Sequence, residues 1–281
     1  MRILFLFGPL FGLLFGLLFS PLFIWPAQAA QLSGSFVQGG LVIGEAKPGS
    51  RVTLDGTAVS VGANGAFVFG FGRDAKPSSI LRITLPDGSV DQQNLAIKAQ
   101  TYKVQRINGL PKRKVTPDPA DTARIKADNS KIWKVRASMT PDTRFLSRFK
   151  WPVKGPISGV FGSQRILNGK PKSPHNGVDV AAPRGSTIVA PADGVVVLVH
   201  QDMFYTGKTL MIDHGLGLTS VYAHMDRILV VEGQVVEQGH PIGIVGQTGR
   251  STGPHLHWGL TWKGTHLDPM QATGPMPPMP R

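Results

Sequence analysis

The segment that decides the fold is Gly253-Pro254-His255-Leu256-His257-Trp258-Gly259. In an extended strand, side chains alternate between the two faces, so residues i and i+2 share a face. His255 and His257 therefore point to one face. Leu256 and Trp258 point to the other face, toward an apolar core. Two neighbouring imidazoles on one face indicate a shared chemical task, and the alternative interpretation is a solvated polar face.

A second histidine context lies upstream, in Pro174-His175-Asn176-Gly177-Val178-Asp179-Val180. The proline and the glycine disfavour a helix, and the Val-Asp-Val triplet predicts a strand. A bend at Gly177 would return His175 to the side of Asp179. The alternative is a surface turn with an outward-facing carboxylate.

A third context is Ser220-Val221-Tyr222-Ala223-His224-Met225, where alternation predicts that Ser220, Tyr222 and His224 share one face. Taken alone, His224 is interpreted as a hydrogen-bonded residue at a strand end. All eight histidines of the chain lie between His175 and His266. Structural or surface roles are expected for the remaining four, which are His200, His214, His240 and His266.

The composition limits the chemistry of a metal site. The chain has no cysteine, which excludes thiolate zinc sites, iron–sulfur clusters and cysteine nucleophiles. A catalytic zinc site takes three protein ligands and keeps one position open. His175, Asp179 and one member of the His255/His257 pair would supply three ligands, and two imidazoles would remain for proton transfer and oxyanion stabilisation. The chain lacks an H-E-x-x-H segment, which excludes a zincin-type helix.

Three motifs in this order resemble the LytM/lysostaphin-type zinc endopeptidases. They are H-N-G-V-D at 175–179, Y-A-H-M at 222–225 and H-L-H at 255–257. The resemblance covers about residues 151–270 and includes the surroundings of the motifs at 161–165, 189–194 and 246–249.

This resemblance implies the zinc ligands His175, Asp179 and His257. It also implies that His224 and His255 do the proton and oxyanion work, and that Tyr222 helps to position substrate. The family is largely antiparallel β-structure with a groove and cleaves peptide cross-links in peptidoglycan. For this chain, analogy favours the D-Ala–diaminopimelate bond as the target.

Two alternatives to an enzyme follow from the same region. Some relatives are catalytically inactive and activate cell-wall amidases, but here every metal-site position matches the active pattern. A biotinyl- or lipoyl-type carrier module is disfavoured, because residues 209–262 contain no lysine for attachment.

The rest of the chain is mostly β with one basic insertion. Gln31 to about Lys98 contains about seven short alternating segments separated by turns, which predict a small β-sandwich of immunoglobulin-like type. Residues 98–150 carry 14 basic and 4 acidic side chains, a net +10 of the chain's +13. They predict a connector that lies against the next domain, with one helix between Asp118 and Ser138. Its charge is interpreted as a solvated face, with contact to a membrane or an anionic wall as the alternative. No nucleic-acid-binding motif accompanies it, so nucleic acid is not an expected partner.

The N-terminus predicts export. Arg2 precedes an apolar run from Ile3 to Trp25, and Ala27 and Ala29 have the spacing of a signal-peptidase site. A retained membrane anchor is the alternative, and both interpretations place the remainder outside the cytoplasm, most simply in a periplasm. The expected divisions are a signal peptide at 1–30, a β-sandwich at 31–98, the connector at 99–150, the zinc endopeptidase domain at 151–270 and a fraying Pro/Met-rich tail at 271–281.

Overall fold

The structure is a computed structural model that describes residues 29–278. The signal peptide expected at 1–30 falls almost entirely outside these residues and stays a prediction. Within the described range, no helix has both the length and the apolar character of a membrane-spanning segment.

The N-terminal region consists of two small antiparallel sheets, and all seven strands fall within the region expected to be β-rich. The first sheet has the order β1-β2-β5 and the second the order β4-β3-β6-β7. The strands are β1 (Ala30–Gly34), β2 (Leu41–Ala46), β3 (Arg51–Leu54), β4 (Thr57–Val59), β5 (Ala66–Gly70), β6 (Ser78–Thr84) and β7 (Val90–Ala96).

Alternation explains why these segments form sheets. In β6, Ser79, Leu81 and Ile83 are buried while the residues between them are exposed. Strand β5 is buried along its whole length and supplies Phe67 and Phe69 to the interior. These side chains close a hydrophobic interior that both sheets share. The immunoglobulin-like connectivity stays a prediction.

The basic connector is more ordered than its composition suggests. It contains β8 (Val104–Ile107), α1 (Lys112–Val115), α2 (Pro119–Ala137) and a 3₁₀ turn (Arg144–Ser147). The predicted helix is confirmed as α2, which begins with a proline at its first position. Its residues Ile132 and Val135 pack against apolar side chains of the C-terminal sheet, so the connector lies against that domain as expected.

The interpretation of the connector charge as a solvated face is only partly correct. The Arg113 guanidinium donates to Asp121 at 2.7 Å within the connector. The Arg124 guanidinium donates to the Asp202 carboxylate of the C-terminal sheet at 2.7 Å. These ion pairs use part of the excess charge to fasten the connector to its neighbours.

The C-terminal region is built on one large antiparallel sheet whose main path runs β17-β14-β15-β16-β19-β12-β9. Its elements are β9 (Ile157–Gly159), β10 (Gln164–Leu167), β11 (Lys170–Pro171), β12 (Val178–Ala181), β13 (Thr187–Val189), β14 (Gly194–Met203), β15 (Gly207–Gly215), β16 (Leu218–Ile228), β17 (Val235–Val236), β18 (Pro241–Val245), β19 (His255–Trp262), β20 (Thr265–Leu267) and α3 (Pro269–Thr273). Strands β10 and β11 form a separate small sheet with β8, which pairs parallel to β10. The fold is therefore mostly β and largely antiparallel, as the sequence predicts.

The chain's two β regions are joined by a continuous hydrophobic interior. The segment after α3 also contributes, because the Trp151 indole donates to the Gly274 carbonyl at 3.1 Å and Met276 packs against this interior. The expectation that the tail frays from its start is wrong for residues 274–276.

A chain of hydrogen bonds crosses the interior of the C-terminal sheet. His214 Nδ1 donates to the Asp193 carbonyl at 2.6 Å, so its Nε2 accepts from the Ser220 hydroxyl at 2.8 Å. Ser220 in turn accepts from the Tyr222 hydroxyl at 2.8 Å. Burial lowers the pKa of His214 to about 4, because protonation would place a charge in the core and remove the acceptor for Ser220.

This series of hydrogen bonds predicts that the folded state loses stability in acid. The folded state binds fewer protons at His214 than the unfolded state, so its stabilising contribution is complete above the unfolded pKa of about 6.5 and is lost as the pH falls toward 4. We expect His214 to account for about 2 kcal/mol of the unfolding free energy lost between pH 7 and pH 5. Urea denaturation with chelator present, compared between wild type and H214Q, measures this contribution.

The surface variant H240Q is the matched control, since His240 is exposed. We expect the unfolding free energy to depend less on pH in H214Q than in wild type, and to keep the wild-type pH dependence in H240Q. An H214Q variant with the full wild-type loss of stability would contradict the assignment.

Candidate metal centre

The centre is built on a register of three adjacent strands. Asp179 of β12 lies directly opposite His257 of β19, and Ala223 of β16 lies opposite His257 on its other side. Paired residues of adjacent strands project to the same face, so Asp179 and His257 meet above the sheet. Leu256 and Trp258 are fully buried on the opposite face, as the alternation predicts.

His175 reaches this pair through a bend before β12. Its Nε2 lies 3.0 Å from Asp179 Oδ1, which agrees with the return of the loop expected at Gly177. A Cβ at Gly177 would lie 2.4 Å from the Trp258 carbonyl oxygen and 3.0 Å from the His257 ring. Only glycine therefore allows the loop to pass this close to β19.

The three donor atoms form a compact triangle. His257 Nδ1 lies 2.8 Å from Asp179 Oδ1 and 3.0 Å from His175 Nε2. A tetrahedral ion with bonds of about 2.0–2.1 Å spaces its ligand atoms by roughly 3.3 Å. Two imidazole nitrogens and one carboxylate oxygen at this spacing suit a divalent metal ion. Within residues 29–278, these three residues are the one such group.

Backbone carbonyls fix the orientation of three imidazoles around the site. Nδ1 donates to a carbonyl in His175 (Val160, 3.1 Å), in His224 (Thr248, 2.7 Å) and in His255 (Gly253, 2.9 Å). A neutral imidazole that donates through Nδ1 has a free lone pair on Nε2. In His175 that lone pair is directed at the donor triangle.

His224 reaches the site by a break in strand alternation. Its φ is +62°, and the pairing of β15 with β16 shifts register between Tyr222 and Met225. Its ring centroid lies 4.7 Å from that of His255 and 6.2 Å from that of His257. The expectation that His224 shares a face with Ser220 and Tyr222 is therefore wrong.

Tyr222 does not face the groove. It is fully buried on the core side of the sheet, opposite Trp258, and its hydroxyl ends the His214 hydrogen-bond chain. The expectation that Tyr222 helps to position substrate is wrong for this arrangement, because its hydroxyl has no access to a bound ligand.

Burial sets the protonation of the centre. It lowers the pKa of His175 to about 4, against the opposing effect of Asp179. Burial together with the neighbouring His255 and His257 lowers the pKa of His224 to about 3. Burial alone would raise the pKa of Asp179, but the contacts of its carboxylate with the His175 and His257 rings hold it well below its usual value. At neutral pH His175 is therefore a neutral imidazole and Asp179 an ionised carboxylate, which are the ligating forms of these two residues.

A groove passes over the centre. One cavity of ≈ 360 Å³ is lined by Asp179, His224 and His255, and a second of ≈ 350 Å³ by His175, His224 and His257. Both cavities include Arg165 and Arg250, so together they form an open channel beside the donor triangle.

Arg165 is a site residue that the sequence patterns do not predict. Its guanidinium donates to Asp179 Oδ2 at 2.7 Å, while Asp179 Oδ1 faces the two imidazoles. Arg165 thus holds the second carboxylate oxygen and fixes which oxygen faces the donor triangle. Arg165 lies in the segment 161–165, which resembles the family, but no periodicity in the sequence connects it with Asp179.

The chain is similar to known proteins over the segment that contains this site. Residues 173–269 match the model of peptidase family M23, a segment that includes every residue of the donor triangle. The chain contains a peptidase family M23 domain. The LytM/lysostaphin-type resemblance is confirmed.

Proteins similar to this chain over the M23 domain are named for different roles. The peptidoglycan DD-endopeptidase ShyA of Vibrio cholerae is 40% identical over 134 residues, which are 47% of this chain and 31% of ShyA. The murein hydrolase activator NlpD of Salmonella typhimurium is 33% identical over 150 residues, which are 53% of this chain and 38% of NlpD. The matches thus span less than two fifths of the length of these relatives.

One solved structure resembles most of the chain. It is a Pseudomonas aeruginosa protein assigned to peptidase family M23, with a TM-score of 0.65 and 28% identity. The match covers 85% of this chain and 96% of that one. The similarity therefore extends beyond the M23 domain into the regions that precede it.

Arg165 predicts a measurable effect on metal binding. Replacement by glutamine removes the guanidinium that orients Asp179, and we expect the affinity for Zn²⁺ to fall by about 10- to 100-fold. Competition with a chromophoric chelator measures the dissociation constant. R184Q is the control, because Arg184 is exposed and pairs with Asp226, away from the donor triangle. Equal affinities for R165Q and wild type would contradict the orienting role.

Proposed function

We propose that this protein is a zinc-dependent endopeptidase that hydrolyses peptide cross-links in peptidoglycan. The observation that carries the proposal is the convergence of the donor triangle with two further imidazoles in one open groove. The match to the M23 family supports the peptidase class. The similarity to ShyA, a peptidoglycan DD-endopeptidase, supports peptidoglycan as the substrate and the D-Ala–diaminopimelate bond as the target.

In this proposal His175, Asp179 and His257 hold the zinc ion. The ion would polarise the scissile carbonyl and lower the pKa of a bound water from ~15.7 toward ~7. The fold keeps two of these ligands deprotonated, since burial holds His175 neutral and the surrounding side chains hold Asp179 ionised. Arg165 fixes the orientation of the carboxylate.

His224 and His255 carry the proton transfers and stabilise the developing oxyanion. Each donates through Nδ1 to a carbonyl, so Nε2 can accept a proton from the attacking water. Once protonated, Nε2 becomes a donor. The low pKa of His224, which burial causes, favours return of that proton to the leaving nitrogen.

We further propose that the protein acts outside the cytoplasm, in a periplasm, where peptidoglycan is accessible. The predicted signal peptide supports this location. Exposed cations of residues 98–150 would face an anionic wall or membrane, although some of the charge of this segment is used within the fold.

Activation of cell-wall amidases is the second candidate function. The match to the murein hydrolase activator NlpD favours it. The full set of three donors and two additional histidines in the groove favours the enzyme, because an activator needs no such set.

Purified sacculi distinguish the two functions. We expect the zinc-loaded protein to convert cross-linked muropeptide dimers into monomers, as identified by mass spectrometry. Chelator should abolish this release and added Zn²⁺ should restore it. Full zinc occupancy without release, combined with stimulation of an added amidase, would support the activator instead.

Replacement of the two proton-transfer histidines tests the division of roles. For H224A and H255A we expect turnover to fall by roughly 10²–10⁴-fold, because the acid/base function is lost. The zinc content should stay near one ion per chain by elemental analysis. H200Q serves as the control, since His200 lies outside both groove cavities. Near-normal turnover in H224A and H255A would contradict the proposed roles.

A further inference from the structure

Arg250 is a groove residue that the proposed mechanism does not use. Arg250 comes directly after the glycine-containing turn that follows β18. Its side chain lines both cavities beside the donor triangle. One cavity also contains His255 and the other contains His257, so Arg250 faces the groove on the side where these imidazoles lie.

The fold holds Arg250 in place without neutralising it. Its backbone N–H donates to the Tyr205 carbonyl at 2.8 Å, and its guanidinium carbon lies 4.5 Å from the centre of the Tyr205 ring. Within residues 29–278, the only polar contact of the guanidinium is a long one of 3.5 Å to the Lys114 carbonyl. Among residues 29–278, no carboxylate lies within 4.0 Å of this group.

The neighbouring arginine differs in this respect. Arg165 lines the same cavities, but Asp179 balances its charge at 2.7 Å. Burial and the nearby Arg165 lower the pKa of Arg250, yet a guanidinium remains charged at neutral pH. A half-buried cation without a counter-ion, aimed into a groove, favours binding of an anion from outside the chain.

The substrate of the proposed reaction offers such an anion. In a cross-link to diaminopimelate, the carbon bonded to the scissile nitrogen also carries a free carboxylate. Its carboxyl carbon is therefore only two bonds from the scissile nitrogen, on the leaving-group side. A planar guanidinium binds a carboxylate through two parallel hydrogen bonds, which recognises shape as well as charge.

We propose that Arg250 is a specificity-determining residue that binds the free diaminopimelate carboxylate next to the scissile bond. This inference rests on the proposed function. It assigns to the groove a preference for anionic cross-links over neutral ones, such as amidated diaminopimelate or glycine bridges. The Tyr205 ring positions the guanidinium, and the connector supplies its second wall through Lys114.

Two cross-linked muropeptide dimers test the proposal. They differ in one group only, since one has the free carboxylate beside the scissile nitrogen and the other has it amidated. For wild type we expect kcat/KM to be about 10- to 100-fold higher for the free carboxylate, as suits a charge-assisted hydrogen-bonded pair. In R250Q the ratio should fall below about 3-fold, with little change in cleavage of the amidated dimer.

Two further variants sharpen this result. R250K keeps the positive charge but loses the two parallel N–H donors of the guanidinium. We therefore expect a ratio of kcat/KM for the two dimers between those of wild type and R250Q. R136Q is the matched control, because Arg136 is a half-buried arginine that lines a separate cavity with His257 and also has no acidic partner among the described residues. The wild-type ratio should persist in R136Q. Thermal melts confirm that each variant is folded.

Binding measurements separate this inference from the proposed function. Calorimetry with chelator present measures the affinity for both dimers without cleavage. A preference for the free carboxylate that disappears in R250Q supports the inference even for a protein that cleaves neither dimer. Equal affinity and equal kcat/KM of wild type for the two dimers, or an unchanged preference in R250Q, would overturn it.

Discussion

The pairing of Asp179 with His257 across β12 and β19 is the constraint on which the rest of the site depends. A slip of one residue would turn both side chains to the opposite face and separate them. The hydrophobic core prevents this slip, because Val178, Val180, Leu256 and Trp258 are fully buried on the other face. The free energy of core packing therefore also maintains the geometry of the donor triangle.

The connector links the two β regions and also lines the groove. Strand β8 lines one end of the channel, and α2 packs over the sheet near the other end. Between them lies the hairpin tip at 204–206. The Lys114 ammonium donates to the Phe204 carbonyl, and the Phe204 N–H donates to the Asp128 carboxylate. The same tip holds the backbones of His224 and Arg250. A segment notable for its net charge thus shapes the groove beside the donor triangle.

The sequence was sufficient for features with a local signal. Period-two alternation predicted the strands around Asp179 and His257, and the resemblance to the LytM/lysostaphin-type family implied which side chains meet. Features that depend on long-range contacts were not accessible. The left-handed backbone of His224, the burial of Tyr222, the parallel pairing of β8 with β10 and the contact of Arg165 with Asp179 all arise from tertiary packing. None of them leaves a periodic trace in the sequence.

The central claim is that three side chains bind one metal ion. A crystal structure of the zinc-loaded protein, with data collected at the zinc absorption edge, tests it most directly. The account predicts a single anomalous peak about 2.0–2.2 Å from His175 Nε2, Asp179 Oδ1 and His257 Nδ1. A peak bound by other residues, or a zinc ion that Asp179 does not ligate, would contradict it.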